Sequence, residues 1–173
     1  MRALVWIVED TWEATVAEAA AFLPADAEVT LLHVAPGDVE TLAEGSRHGL
    51  LGRRHRPPPD ERPAPLQAIS DEAAQALLAE ARERFGREAG VQALRGRVER
   101  EVVAAAEGMD ILVLARDGDH SRLGPHSLGP PARFVVDHAP CRVLLVWADT
   151  PPPVDSIPPP PKHPPGHRPP HHR

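Results

Sequence analysis

Lysine occurs once in the 173 residues, at Lys162, cysteine once, at Cys141, and tyrosine not at all. Each scarcity removes a class of chemistry. A lone cysteine permits no internal disulfide and no paired-cysteine metal spacing. With its one lysine inside a proline-rich stretch, the chain has no Gly-x-x-x-x-Gly-Lys phosphate loop, and no Gly-x-Ser-x-Gly nucleophile elbow occurs either. No catalytic constellation emerges, so the expectation is a protein that binds and is not an enzyme. No apolar run reaches the roughly 20 residues that span a bilayer. Met1–Trp6 is too short an apolar start for a signal peptide before Glu9 and Asp10. A cytoplasmic protein without a membrane partner is expected. The formal net charge of −6 argues against nucleic acid as a partner.

What the chain does contain is short apolar runs alternating with helical patterns. Ala3 to Val8 reads as a first strand, apolar throughout and hence central in a sheet. Asp10 with Glu13 three residues on reads as a capping box that opens a helix to Leu23, with Trp12, Val16, Ala19, Ala20 and Leu23 on one face. Val29 to Val34 is a second strand. A helix from Ser70 follows, opened by Asp71 and Glu72 and carrying Ala74, Leu77, Leu78, Ala81 and Phe85 as its apolar stripe. Val91 to Leu94 is a weak third strand, diluted by Gln92 and Arg95. Gly96 turns the chain into a helix with Val98, Val102 and Ala105 on one face, and Gly108 stops it. Ile111 to Ala115, a helix over Pro131–His138 and a strand over Cys141–Trp147 complete the pattern. The order β-α-β-α-β-α-β-α-β predicts an open, doubly wound α/β sheet of five mainly parallel strands flanked by helices, a Rossmann-like fold.

Two stretches break the pattern. From Gly45 to Ile69 there is no period, with Pro57-Pro58-Pro59 and the basic run Arg53-Arg54-His55-Arg56; it reads as a mobile insertion, preceded by a short helix over Val39–Glu44. Half of the 22 prolines crowd into the last 23 residues, beside His163, His167, His171 and His172. Residues 149–173 are therefore expected to form an extended, disordered tail, leaving 1–148 as the single folded domain. The tail histidines suggest no more than weak metal affinity, since their spacing is irregular and no acid or cysteine stands near.

Function is expected at the segment after Ala115. In parallel sheets, anionic ligands settle at the carboxyl ends of strands, against N–H groups at a helix start. Gly118 and Gly129 are the candidates for close backbone approach, whereas Gly124-Pro125 reads as a plain turn. Glu9, at the carboxyl end of a central strand, is the better contact candidate beside Asp10, read as a cap. Cys141 reads as a small hydrophobe, and His138 as a helix-end residue favoured by the dipole.

With that pattern in place the chain resembles the universal stress protein family over nearly the whole of residues 1–147. The residues that carry the resemblance are Leu31-Leu32-His33-Val34, Asp110-Ile111-Leu112-Val113-Leu114 and above all His138-Ala139-Pro140-Cys141-Arg142-Val143-Leu144-Leu145-Val146. The resemblance implies a five-stranded parallel sheet, a homodimer through the last strand, and in some members ATP bound by an acid after strand one, a valine after strand two and a Gly-x-x-Gly-x9-Gly-Ser/Thr motif. Carried over, the nucleotide-binding candidates are Val8, Glu9, Asp10, Val34, Leu114, Ala115, Gly118, Gly129 and Pro130. The motif is met in part: alanine replaces the first glycine in Ala115-Arg116-Asp117-Gly118, the gap to Gly129 is one residue too long, and Pro130 stands where the hydroxyl belongs. Proline removes a hydroxyl and an N–H donor together. Asp117 and Asp119 set negative charge beside the presumed phosphates, partly offset by Arg116 and Arg122. The expectation is a regulatory or protective binding module whose ATP binding is weak or lost and whose protein partners are unknown. The alternatives are an ATP-binding member with slow ATPase activity, and a metal-handling or scaffolding protein working through its tail.

Overall fold

A computed structural model describes residues 1–37 and 64–159. Its strands are β1 (Arg2–Trp6), β2 (Glu28–Pro36), β3 (Gly90–Gly96), β4 (Ile111–Ala115) and β5 (Arg142–Val146). Its helices are α1 (Trp12–Phe22), α2 (Ala64–Phe85), α3 (Val98–Ala105) and α4 (Pro130–His138). All strand pairs are parallel, in the order β3-β2-β1-β4-β5. The doubly wound α/β expectation holds.

Alternation of side chains across the pleat divides the core into two layers. Ala3, Val5, Leu31, Val113 and Val29 pack towards α1 and α2, where Val16, Ala19, Leu78, Ala81 and Phe85 meet them. Leu4, Trp6, Leu32, Leu112 and Leu114 face α3 and α4, against Val102, Ala106, Ala132 and Val135. The central strands are buried on both faces, which is why β1 and β4 read as unbroken apolar runs. β3 pairs only with β2, and as an edge strand it leaves Val91 49% exposed; the Gln92 and Arg95 that diluted its pattern are the mark of that position.

Several boundaries move. β1 ends at Trp6, two residues short of the expected Val8, because the Thr11 N–H bonds back to Val8 O at 3.0 Å and bends the chain off the sheet. Thr11, not Asp10, is the N-cap of α1, and neither makes a side-chain capping bond, so the expected capping box is not formed. α2 begins at Ala64, which converts residues 64–69 of the expected insertion into helix and puts Asp71 and Glu72 well inside it. The remainder of that insertion and the helix expected over Val39–Glu44 lie outside the described residues. Gly108 adopts φ +72, as expected of a residue that ends a helix. Residues 149–159 also depart from expectation: Val154–Ser156 forms a 3-10 turn, and Ser156 Oγ accepts the Leu123 N–H at 3.0 Å. The tail beyond 159 lies outside the described residues.

Candidate functional site

The carboxyl ends of β1 and β4 open into a crevice of about 710 Å³ lined by Val8, Glu9, Asp10, Glu13, Asp117, Gly118, His120 and Asp149, among others. Five of those side chains are carboxylates and one is a histidine. Of the sequence candidates, Val8, Glu9, Asp10 and Gly118 meet here. Gly129 and Pro130 line a separate groove of about 560 Å³ along α4, with Arg133, Phe134 and His138. Val34, Leu114 and Ala115 are buried in the core, Leu114 on the α3–α4 side and Ala115 on the α1–α2 side.

The loop from Arg116 to Gly129 is closed by its own groups. Gly118 N–H bonds Ser127 O at 3.0 Å and Asp119 N–H bonds His126 O at 2.8 Å, so the two legs run together like a hairpin. A Cβ at Gly118 would collide with the His126 carbonyl oxygen and stand 2.8 Å from the Ser127 carbonyl carbon. Glycine is needed here for close approach of backbone to backbone. The Arg116 guanidinium donates to Ser127 Oγ and lies over the Trp147 ring at 4.6 Å, while its Nε is buried without a hydrogen-bond partner. That burial lowers the Arg116 pKa. Asp119 is held below the usual carboxylate range by the Ser121 hydroxyl and then by the Ser121 N–H at 2.9 Å.

The start of α4 decides what the loop can offer an anion. Asp117 Oδ1 accepts the Gly129 N–H at 2.7 Å, and the next two residues are Pro130 and Pro131, which have no N–H at all. Over three consecutive positions the helix start thus has no free backbone donor. In the sequence Asp117 reads only as repulsive charge; the contact spans a loop, and no local pattern announces it. His120, Ser127, Trp147 and Asp149 escape sequence reading for the same reason. His138 sits in the last turn of α4, where its Nδ1 donates to Phe134 O at 2.8 Å, in keeping with a helix-end role. Cys141 is part-buried, and its thiol is pushed up by that burial and by Asp110. Among the described residues no group of three or more His, Cys, Asp or Glu is placed to hold a metal ion. Among them, too, no helix is long and apolar enough to cross a membrane.

No protein-family model and no curated protein matches the sequence, so shape carries the comparison. The hypothetical protein MJ0577 superposes with a TM-score of 0.62 at 20% identity, over 86% of this chain and 96% of that one. The universal stress protein UspA from Lactobacillus plantarum gives 0.57 at 21% identity, over 84% and 97%. A universal stress protein in complex with cAMP gives 0.57 at 16% identity, over 86% and 98%. The fold is that of the universal stress proteins. Within this universal stress protein fold, the crevice at β1 and β4 is acidic and the α4 start is closed off by Asp117 and two prolines.

Proposed function

We propose that this chain is a divergent universal stress protein: a cytoplasmic, homodimeric binding module that acts by occupancy of the crevice above β1 and β4, with ATP binding weak or lost and no catalytic turnover. Fold likeness to a universal stress protein that holds cAMP supports nucleotide binding as the origin of the crevice. The observation that carries the loss is the α4 start. Polyphosphate binding at a helix N-terminus depends on free N–H groups, and here one is held by the Asp117 carboxylate and two are absent. Glu9, Asp10, Asp117 and Asp149 further disfavour an anion in the crevice by like-charge repulsion. No lysine lies in the described chain to offset a transferring phosphoryl group, which favours binding over ATP hydrolysis.

Titration calorimetry with ATP and Mg²⁺ tests this reading, with Asp117→Ala and Pro130→Ser made singly and together. The wild type is expected to bind no tighter than about millimolar, and the double variant at least about tenfold tighter. Micromolar binding by the wild type would overturn the loss, and phosphate release on prolonged incubation would overturn the absence of turnover. A sedimentation experiment on the same samples reads the homodimer.

A further inference from the structure

Beyond β5 the chain comes back against the loop that joins β4 to α4. Ala148 and Asp149 wall the acidic crevice, and Ser156 Oγ takes the Leu123 N–H at 3.0 Å. The segment from Ala148 to Ile157 is therefore a strap laid across the outside of the Arg116–Gly129 loop.

His120 stands where strap and loop meet. Its Nε2 lies 2.9 Å from the Arg116 carbonyl oxygen and its Nδ1 3.4 Å from Asp149 Oδ2. The ring meets Trp147 edge-on, with centroids 5.6 Å apart. A carbonyl and a carboxylate can only accept hydrogen bonds, so the doubly protonated imidazolium alone satisfies both contacts. A neutral ring keeps one proton and turns a lone pair towards the other oxygen. The His120 side chain is 23% exposed, open enough to exchange protons with solvent.

We propose that His120 is a pH-operated latch: its imidazolium holds Asp149, and with it the strap Ala148–Ile157, against the loop, and loss of the proton frees the strap and widens the crevice. Charged groups face the ring from each element packed against it. Asp149 faces it from the strap, and Glu9, Asp10, Glu13 and Asp117 share the crevice from the β1–α1 link and the foot of the loop. Against them stand Arg116, turned onto Trp147, and Arg122, which lies 3.9 Å from Asp119. The sign follows: the strap contact is present on the acid side, where the ring is protonated, and is lost as pH rises. The latch concerns closure of the crevice whatever its ligand, and does not rest on the nucleotide reading.

The test uses the full chain and amide hydrogen exchange, corrected for the intrinsic pH dependence, between about pH 5.5 and about pH 8. Protection of the Leu123 amide is expected to fall about two- to fivefold across that range, the worth of a single exposed ion pair. His120→Leu and Asp149→Ala, which leave no polar group at the contact, are each expected to make that protection low and independent of pH, while the Val113 amide in β4 stays protected throughout and reports an intact fold. Leu123 protection that ignores the ring titration in the wild type overturns the latch. So does pH-dependent protection that survives in both variants.

Discussion

Two links carry the chain from the carboxyl edge of the sheet into a helix, and they are built in opposite ways. The β1–α1 link is short and held by bonds to its backbone, Thr11 N–H to Val8 O at 3.0 Å and the Thr15 N–H and hydroxyl to Thr11 O at 3.1 and 2.8 Å, with Glu9 and Asp10 left exposed. The β4–α4 link is long and paired internally, through Asp117 with Gly129, Asp119 with Ser121 and Arg116 with Ser127. Polar groups already paired inside a loop must break those bonds before they can meet a ligand, whereas exposed carboxylates at a crevice rim need only shed water. The polar side chains left open at the crevice are thus those of the acidic rim in the β1–α1 link, while those of the glycine-bearing loop are largely paired among themselves.

Breaking the long link should have the largest effect. Gly118→Ala puts a Cβ against the His126 carbonyl, and backbone cannot yield as a flexible side chain does. A loss of about 2–4 kcal/mol in urea unfolding is expected; a change below about 0.5 kcal/mol would mean the two legs are not held together. A smaller effect is expected at Asp119. Its carboxyl is held low by the Ser121 hydroxyl and N–H, so the stability it contributes is present above the ordinary carboxylate pKa and lost as pH falls through the lower folded value. Asp119→Asn should flatten the acid limb of the stability–pH curve at unchanged neutral shape, and an unaltered acid limb would remove Asp119 from the loop's support. The least effect is expected on the short link. Asp10→Ala should change the melting temperature by less than about 2 °C, since Asp10 makes no capping bond. A true capping residue would cost about 1 kcal/mol, so a clear drop would restore the capping box.

The same contrast explains how much was legible in the sequence. β4 is readable to the residue, because a strand buried on both faces must be apolar at every position from Ile111 to Ala115. β3 is readable only faintly, because an edge strand tolerates Gln92 and Arg95. The start of α2 is missed because residues 64–69 include Pro65 and carry no acidic cap, and α1 is capped by Thr11 through backbone geometry that no side chain declares. At the site, Glu9 and Gly118 are found by their distance from a strand end. Asp117, His120 and Asp149 owe their places to contacts 12 to 29 residues apart in the chain, which neither periodicity nor local spacing encodes.

The pins at Gly118 and at the Asp117–Gly129 contact also decide where this chain is free to change in descent. Every codon change at Gly118 that alters the residue adds a Cβ against His126, so purifying selection should act there whatever the crevice holds. Between the pins, the tip around Gly124 has open space on its Cα and touches neither sheet nor helix core. Its ties are few, Gly124 O to the Ser127 hydroxyl, Pro125 O to Arg133 of α4 and Leu123 N–H to Ser156 Oγ, so residues gained or lost there cost little beyond those contacts. Length variation, and with it the raw material for new recognition, is therefore channelled into one short stretch of loop.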